Sequence, residues 1–110
     1  MHIQPDTLAY ARLHESLAGQ PGYFKLFYDT EDCGCNGVLV IQIENEPNAT
    51  DIVFQQEPFT FICDRQQESL FDEVMRLEAD PGYPSYKLTS DSTLFGSNVR
   101  VKDVRTAANI

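Results

Sequence analysis

Between Asp6 and Ala18 the apolar residues Ala9, Tyr10, Leu13 and Leu17 recur at three- and four-residue spacing, the period of a helix that turns one face to a core. Asp6 or Thr7 offers a side-chain oxygen to the first free N–H groups, and Gly19 with Pro21 ends the run. From Tyr23 the period drops to two. Phe24, Leu26 and Tyr28 fall on one side and Lys25 on the other, which predicts a half-buried strand over 23–28. Val38 to Ile43 is β-branched and nearly continuous, as a strand in the middle of a sheet would be. The turn NEPNAT (45–50) follows, then short strands near Ile52 to Gln55 and Phe59 to Cys63.

The segment 68–79 carries both periods. Leu70, Phe71, Val74 and Met75 suit a helix, whereas Met75, Leu77 and Ala79 alternate as a strand does. The reading adopted is one helical turn near Gln67 to Asp72, then a strand from Val74 to Ala79. Pro81, Gly82 and Pro84 make a loop. Tyr86 to Thr89 predicts a further strand, and Val99 to Val104 a last one. One helix followed by a run of short strands is an α+β, mostly β architecture. With 110 residues and no repeat, linker or low-complexity tract, the chain is expected to form a single domain over 1–110.

Charge narrows the partners. Eight basic against seventeen acidic residues give a net charge of −9, a field that repels phosphate backbones, so no nucleic acid is expected. The opening MHIQPDTLAY has neither the basic nor the apolar part of a signal peptide, and the longest apolar run, Val38 to Ile41, cannot span a bilayer. The expectation is a cytoplasmic protein with no membrane partner and with reduced cysteines. Three cysteines also fit a disulfide framework poorly.

The stretch YDTEDCGCNG (28–37) concentrates the chemistry. Cys33 and Cys35 stand one glycine apart, and Gly34 lets the backbone turn so that both sulfurs aim at one point. Two thiolates make a soft chelate suited to zinc, copper(I) or iron in clusters, which usually take about four ligands. Cys63 is a third thiol and Asp32 a neighbouring carboxylate. Asp29, Glu31 and Asp32 disfavour a free thiolate, which argues against a nucleophilic cysteine but not against a metal, whose charge reverses the local sign. The bland reading of Cys63 is a buried strand residue beside Phe59, Phe61 and Ile62. His14 falls toward the polar side of the helix and His2 at the terminus, both read as surface residues. No nucleophile elbow, phosphate loop or zinc-protease motif is present in the sequence.

The order of an N-terminal helix, GYFKLFYDTEDCGCNGV, an apolar strand and a C-terminal SNVRVKDV resembles the HesB-like (A-type, iron–sulfur biosynthesis) superfamily. Within it, the sequence is similar to the small bacterial branch with a YDTEGCGC-like loop. The resemblance implies a compact β-rich sandwich or barrel of short strands with a flanking helix. It also implies iron or iron–sulfur cluster handling and assembly into dimers. Cys35-Asn36-Gly37 matches the family's C-x-G pattern, which implies Cys35 as a ligand, with Cys33 an extra thiol of this branch. A-type carriers end in a C-terminal Cys-Gly-Cys, whereas residues 90–110 contain no cysteine. The expectation is a non-enzymatic iron or iron–sulfur binding protein in cluster biogenesis, with Cys33 and Cys35 as ligands and Cys63 and Asp32 auxiliary. Its partners would be assembly or recipient proteins, or a second copy. The alternative is an acidic protein-interaction module with incidental or redox-switch cysteines.

Overall fold

The computed structural model describes residues 1–29 and 37–106. A short strand β1 (His2–Pro5) precedes the helix α1 (Thr7–Leu17). Asp6 caps α1 by accepting from the Ala9 N–H at 2.7 Å, and Ala9 and Leu13 are the helical residues it buries fully. At its other end the guanidinium of Arg105 donates to the carbonyls of Ser16, Leu17, Gln20 and Pro21 at 3.1–3.3 Å. A cation at the C-terminal end of a helix meets the negative pole of the backbone dipoles.

The remaining strands are β2 (Tyr23–Asp29), β3 (Val38–Glu44), β4 (Asp51–Gln55), β5 (Phe61–Asp64), β6 (Val74–Ala79), β7 (Tyr86–Thr89) and β8 (Leu94–Asp103), with a 3-10 turn at Arg65–Leu70 before β6. The mostly β reading holds, with four differences. β1 is an additional strand, β5 starts at Phe61 rather than Phe59, and the helical turn lies at Arg65–Leu70 rather than 67–72. β8 begins at Leu94, five residues before Val99, because its first half pairs irregularly with β7 while its second half runs parallel to β3.

The strands form one sheet in the order β1-β6-β7-β8-β3-β2-β5-β4. The sheet curls until its two edges approach, and a single side chain closes the gap. Gln55 at the end of β4 accepts from the Ile3 N–H at 2.6 Å and donates to the Ile3 carbonyl at 3.0 Å. One amide thus reproduces the donor and acceptor of a neighbouring strand, and the nearly closed barrel has no open edge along Ile3.

Inside lie Ile3, Phe24, Leu26, Ile41, Phe61, Cys63, Met75, Leu77, Leu88 and Val99. On β2 the predicted alternation is correct, yet Lys25 is buried on its outward side. Its ammonium crosses β5 to lie 3.0 Å from Asp51 Oδ1 on β4, a coulombic contact without the alignment of a hydrogen bond. The Phe27 ring lies 5.5 Å from the same ammonium.

Candidate metal-binding hairpin

β2 and β3 pair antiparallel from Tyr23↔Glu44 to Asp29↔Val38, so Asp29 and Val38 are the base from which the cysteine-bearing connection leaves. Cys33, Cys35 and Asp32 lie outside the described residues. Gly37, where the chain re-enters β3, has φ +104°, a backbone conformation that favours glycine.

The hairpin base is held on its open side by a second glutamine. β5 pairs with β2 only as far as Leu26↔Cys63, which leaves Tyr28 without a strand neighbour on that side. Gln67 fills the place, accepting from the Tyr28 N–H at 3.0 Å and donating to its carbonyl at 3.4 Å. The Tyr28 ring stacks on Phe71 at 5.6 Å between centroids, and Phe71 meets Phe95 at 5.9 Å. Exposed apolar side chains flank this aromatic stack: Leu70 next to Phe71, Leu94 next to Phe95, and Val38 opposite Asp29. Asp72 ties the segment after the 3-10 turn to the β7–β8 turn by accepting from the Ser90 hydroxyl.

Cys63 faces inward between Leu26 and Ile52 and is fully buried. Level with Leu26, it sits three residues short of Asp29, roughly 10 Å along the strand. Burial pushes its thiol up to about 11, with Glu68, Asp51 and Asp64 adding to the effect and Lys25 opposing it. At neutral pH such a group is a neutral thiol that behaves as a small hydrophobe.

His2 and His14 are exposed, as the sequence suggested, and His14 stacks on Tyr10. Among the described residues no three His, Cys, Asp or Glu side chains converge on a point that could hold a metal ion. What the described residues offer at this end is a platform of aromatic and apolar side chains beside the base of the cysteine-bearing connection. Sequence reasoning missed Gln67 and Gln55 because a glutamine on or after a strand reads as a solvated residue. Nothing in the local pattern marks a side chain that substitutes for a backbone.

The sequence matches the family described as iron-sulphur cluster biosynthesis over residues 1–103. Among curated proteins, none matches it. Among the solved structures that share the fold are two with 16% identity to this chain. One, a candidate Fe–S biosynthesis protein from Lactobacillus salivarius described as having a novel fold, superposes with a TM-score of 0.79 at 16% identity, covering 96% of this chain and all of its own. The other, a candidate Fe–S biosynthesis protein from Lactobacillus acidophilus, gives 0.73 at 16% identity, covering 94% of this chain and 90% of its own. The match over nearly the whole length settles the family: this chain belongs to the HesB-like iron–sulphur cluster biosynthesis proteins.

Proposed function

We propose that this protein is a non-enzymatic carrier of iron or an iron–sulfur cluster in cluster biogenesis, with Cys33 and Cys35 as its metal-holding thiolates. The observation that carries the reading is the placement of this cysteine pair, one glycine apart, on the connection between two paired strands in a member of an iron–sulphur cluster biosynthesis family. Iron is the cargo. Soft thiolates suit it, and a bound cation deprotonates both thiols in spite of the acids beside them.

The ligand set of one chain is incomplete. Two thiolates are half of the roughly four that a cluster takes, and Cys63 serves the core. Asp32 is the nearest carboxylate in sequence to complete a weaker site. The remaining ligands come from a second copy or from the assembly or recipient protein to which the iron passes. Transfer needs an open ligand position, and the exposed Val38, Leu70 and Leu94 around the hairpin base give such a partner an apolar rim to cover. Among the described residues no helix is long and apolar enough to cross a membrane. We place the carrier in the cytoplasm, as one domain over 1–110.

Anaerobic reconstitution with iron and sulfide tests the reading. The wild-type protein should gain visible absorbance from sulfur-to-iron charge transfer, and the Cys33→Ser/Cys35→Ser variant should not. A colourless wild-type product, or equal colour in the double variant, refutes it.

A further inference from the structure

The outward face of the sheet beside the hairpin base departs from the usual alternation. Leu39, Ile41 and Ile43 of β3 point into the core, so Val38, Val40, Gln42 and Glu44 point out. A sheet face left to water is ordinarily polar, and β7 conforms, with Lys87 and Thr89 outward between the buried Tyr86 and Leu88. β3 conforms only at its far end. Toward the hairpin it shows the exposed Val38 and the half-buried Val40, and the half-buried Phe27 of β2 stands opposite Val40. The helix lies elsewhere, against β1 and β6.

Charge on this face runs against that of the chain. In the parallel pairing of β3 with β8, Arg100 stands opposite Val40 and Lys102 opposite Gln42. Both are exposed, roughly 7 Å apart along the strand. The acids nearby are engaged elsewhere: Asp103 by Arg105 at 2.8 Å, Asp51 by Lys25 at 3.0 Å, and Asp64 by the Thr50 hydroxyl and the Gln66 N–H. Glu44, diagonal from Lys102, makes no ion pair with it. Among the described residues neither Arg100 nor Lys102 has a counter-ion. Asn98 accepts from Arg100 Nε at 3.1 Å, which steadies the guanidinium and leaves its two terminal nitrogens to donate outward. In a chain of net charge −9, two exposed cations without an acid beside an apolar strip mark a place where the field changes sign.

We propose that this face docks an acidic protein, whose carboxylates meet Arg100 and Lys102 while apolar side chains cover Val38, Val40 and Phe27. An apolar centre beside arginine is the composition of an interface core. The inference rests on the carrier reading and deepens it, because a protein seated here lies beside the Asp29–Val38 base from which Cys33 and Cys35 leave, where a donor or recipient of iron has to be. Two copies joined about a two-fold axis through this face would set the same cations against each other. A nucleic acid would meet the same cations but be repelled by the rest of the chain.

The test is an NMR titration of the full chain, labelled with ¹⁵N, at low salt. The probes are the capped peptides Glu-Leu-Glu-Leu-Glu, Glu-Ser-Glu-Ser-Glu and Lys-Leu-Lys-Leu-Lys, and a short oligouridylate. Saturable shifts are expected at the amides of Phe27, Val40, Arg100 and Lys102 with the acidic leucine peptide, fading as salt is added. The serine peptide should bind more weakly, and the lysine peptide should leave these amides unmoved. Arg100→Gln/Lys102→Gln should weaken binding about fivefold, and it should fold because both side chains are exposed. Arg76→Gln, which removes a cation from β6, should leave affinity unchanged. Cys33→Ser/Cys35→Ser should bind the peptide as the wild type does, so failure of this docking face and failure of the iron reading are told apart. No saturable shift, equal response to the lysine peptide, an equal loss in Arg76→Gln, or tighter binding of the oligouridylate would each overturn the proposal. Concentration-dependent shifts at these amides in the protein alone would overturn it too, by giving the face to a second copy.

Discussion

Replacing Gln55 by leucine should open the barrel at its seam. The native amide satisfies the Ile3 N–H and carbonyl, and it also donates to the Glu57 carbonyl at 2.9 Å. Ile3 is fully buried, so the variant strands two desolvated backbone groups, each costing about 1–3 kcal/mol. Leucine is similar in volume, which keeps cavity formation out of the balance, and the expected loss is about 2–5 kcal/mol. An unfolding entropy of about 2.1 cal/mol/K per residue makes each kcal/mol worth roughly 4 °C in a chain of this size, so Tm should fall by roughly 10–20 °C. Urea denaturation followed by circular dichroism gives the free energy, and hydrogen exchange at Ile3 reports whether the loss is local to the seam. A glutamate at the same position sharpens the test. A carboxylate cannot donate to the two carbonyls, so the fold favours the protonated acid and raises its pKa. The Gln55→Glu variant should then be closest to wild type at acid pH and lose stability as pH rises from about 4.3. A Tm within 3 °C of wild type for Gln55→Leu, with Ile3 equally protected, would refute the seam argument.

Three further outcomes follow from the same structure. Gln67→Leu should cost less than the seam variant, about 1–2 kcal/mol, but should speed hydrogen exchange at Tyr28 selectively, because Gln67 is its pairing partner on that side. Cys63, held protonated to about 11, contributes stability that is present below the ordinary thiol pKa and lost as pH climbs from about 9 to about 11. That loss, about 2–3 kcal/mol, should vanish in Cys63→Ala when unfolding free energies are compared under reducing conditions. Lys25→Met strands the buried Asp51 carboxylate and should cost about 3–5 kcal/mol. Adding Asp51→Asn should recover part of it, as read by denaturation of the single and double variants.

What the sequence discloses depends on how local the cause is. The Asp6 cap of α1, the alternation of β2 and β6, and the apolar run of β3 are written in neighbouring residues and form where their patterns predict, whereas Tyr10 of the α1 stripe is exposed and Ala18 rather than Gly19 takes the left-handed cap. β1 has one fully buried side chain, Ile3, and its pairing with β6 comes from residues some seventy positions away, so no four-residue pattern reveals it. Lys25 reads as solvated because its counter-ion arrives from β4, two strands across the sheet. The early start of β8 is concealed by Gly96, Ser97 and Asn98, which break the apolar rhythm while the backbone continues. At the candidate site, the Cys33–Cys35 pair is legible as chemistry and the burial of Cys63 as a matter of its neighbours Phe61 and Ile62. Gln67 is not, since it acts through geometry set by a distant segment.

Iron and acid-labile sulfide should be measured in protein isolated without oxygen, in the wild type, in Cys33→Ser/Cys35→Ser and in Cys63→Ala. If the thiols on either side of Gly34 hold the cargo, metal should accompany the wild type and Cys63→Ala in equal proportion and be absent from the double variant. Metal that survives the loss of Cys33 and Cys35, or that disappears with Cys63 alone in a folded variant, would contradict the account.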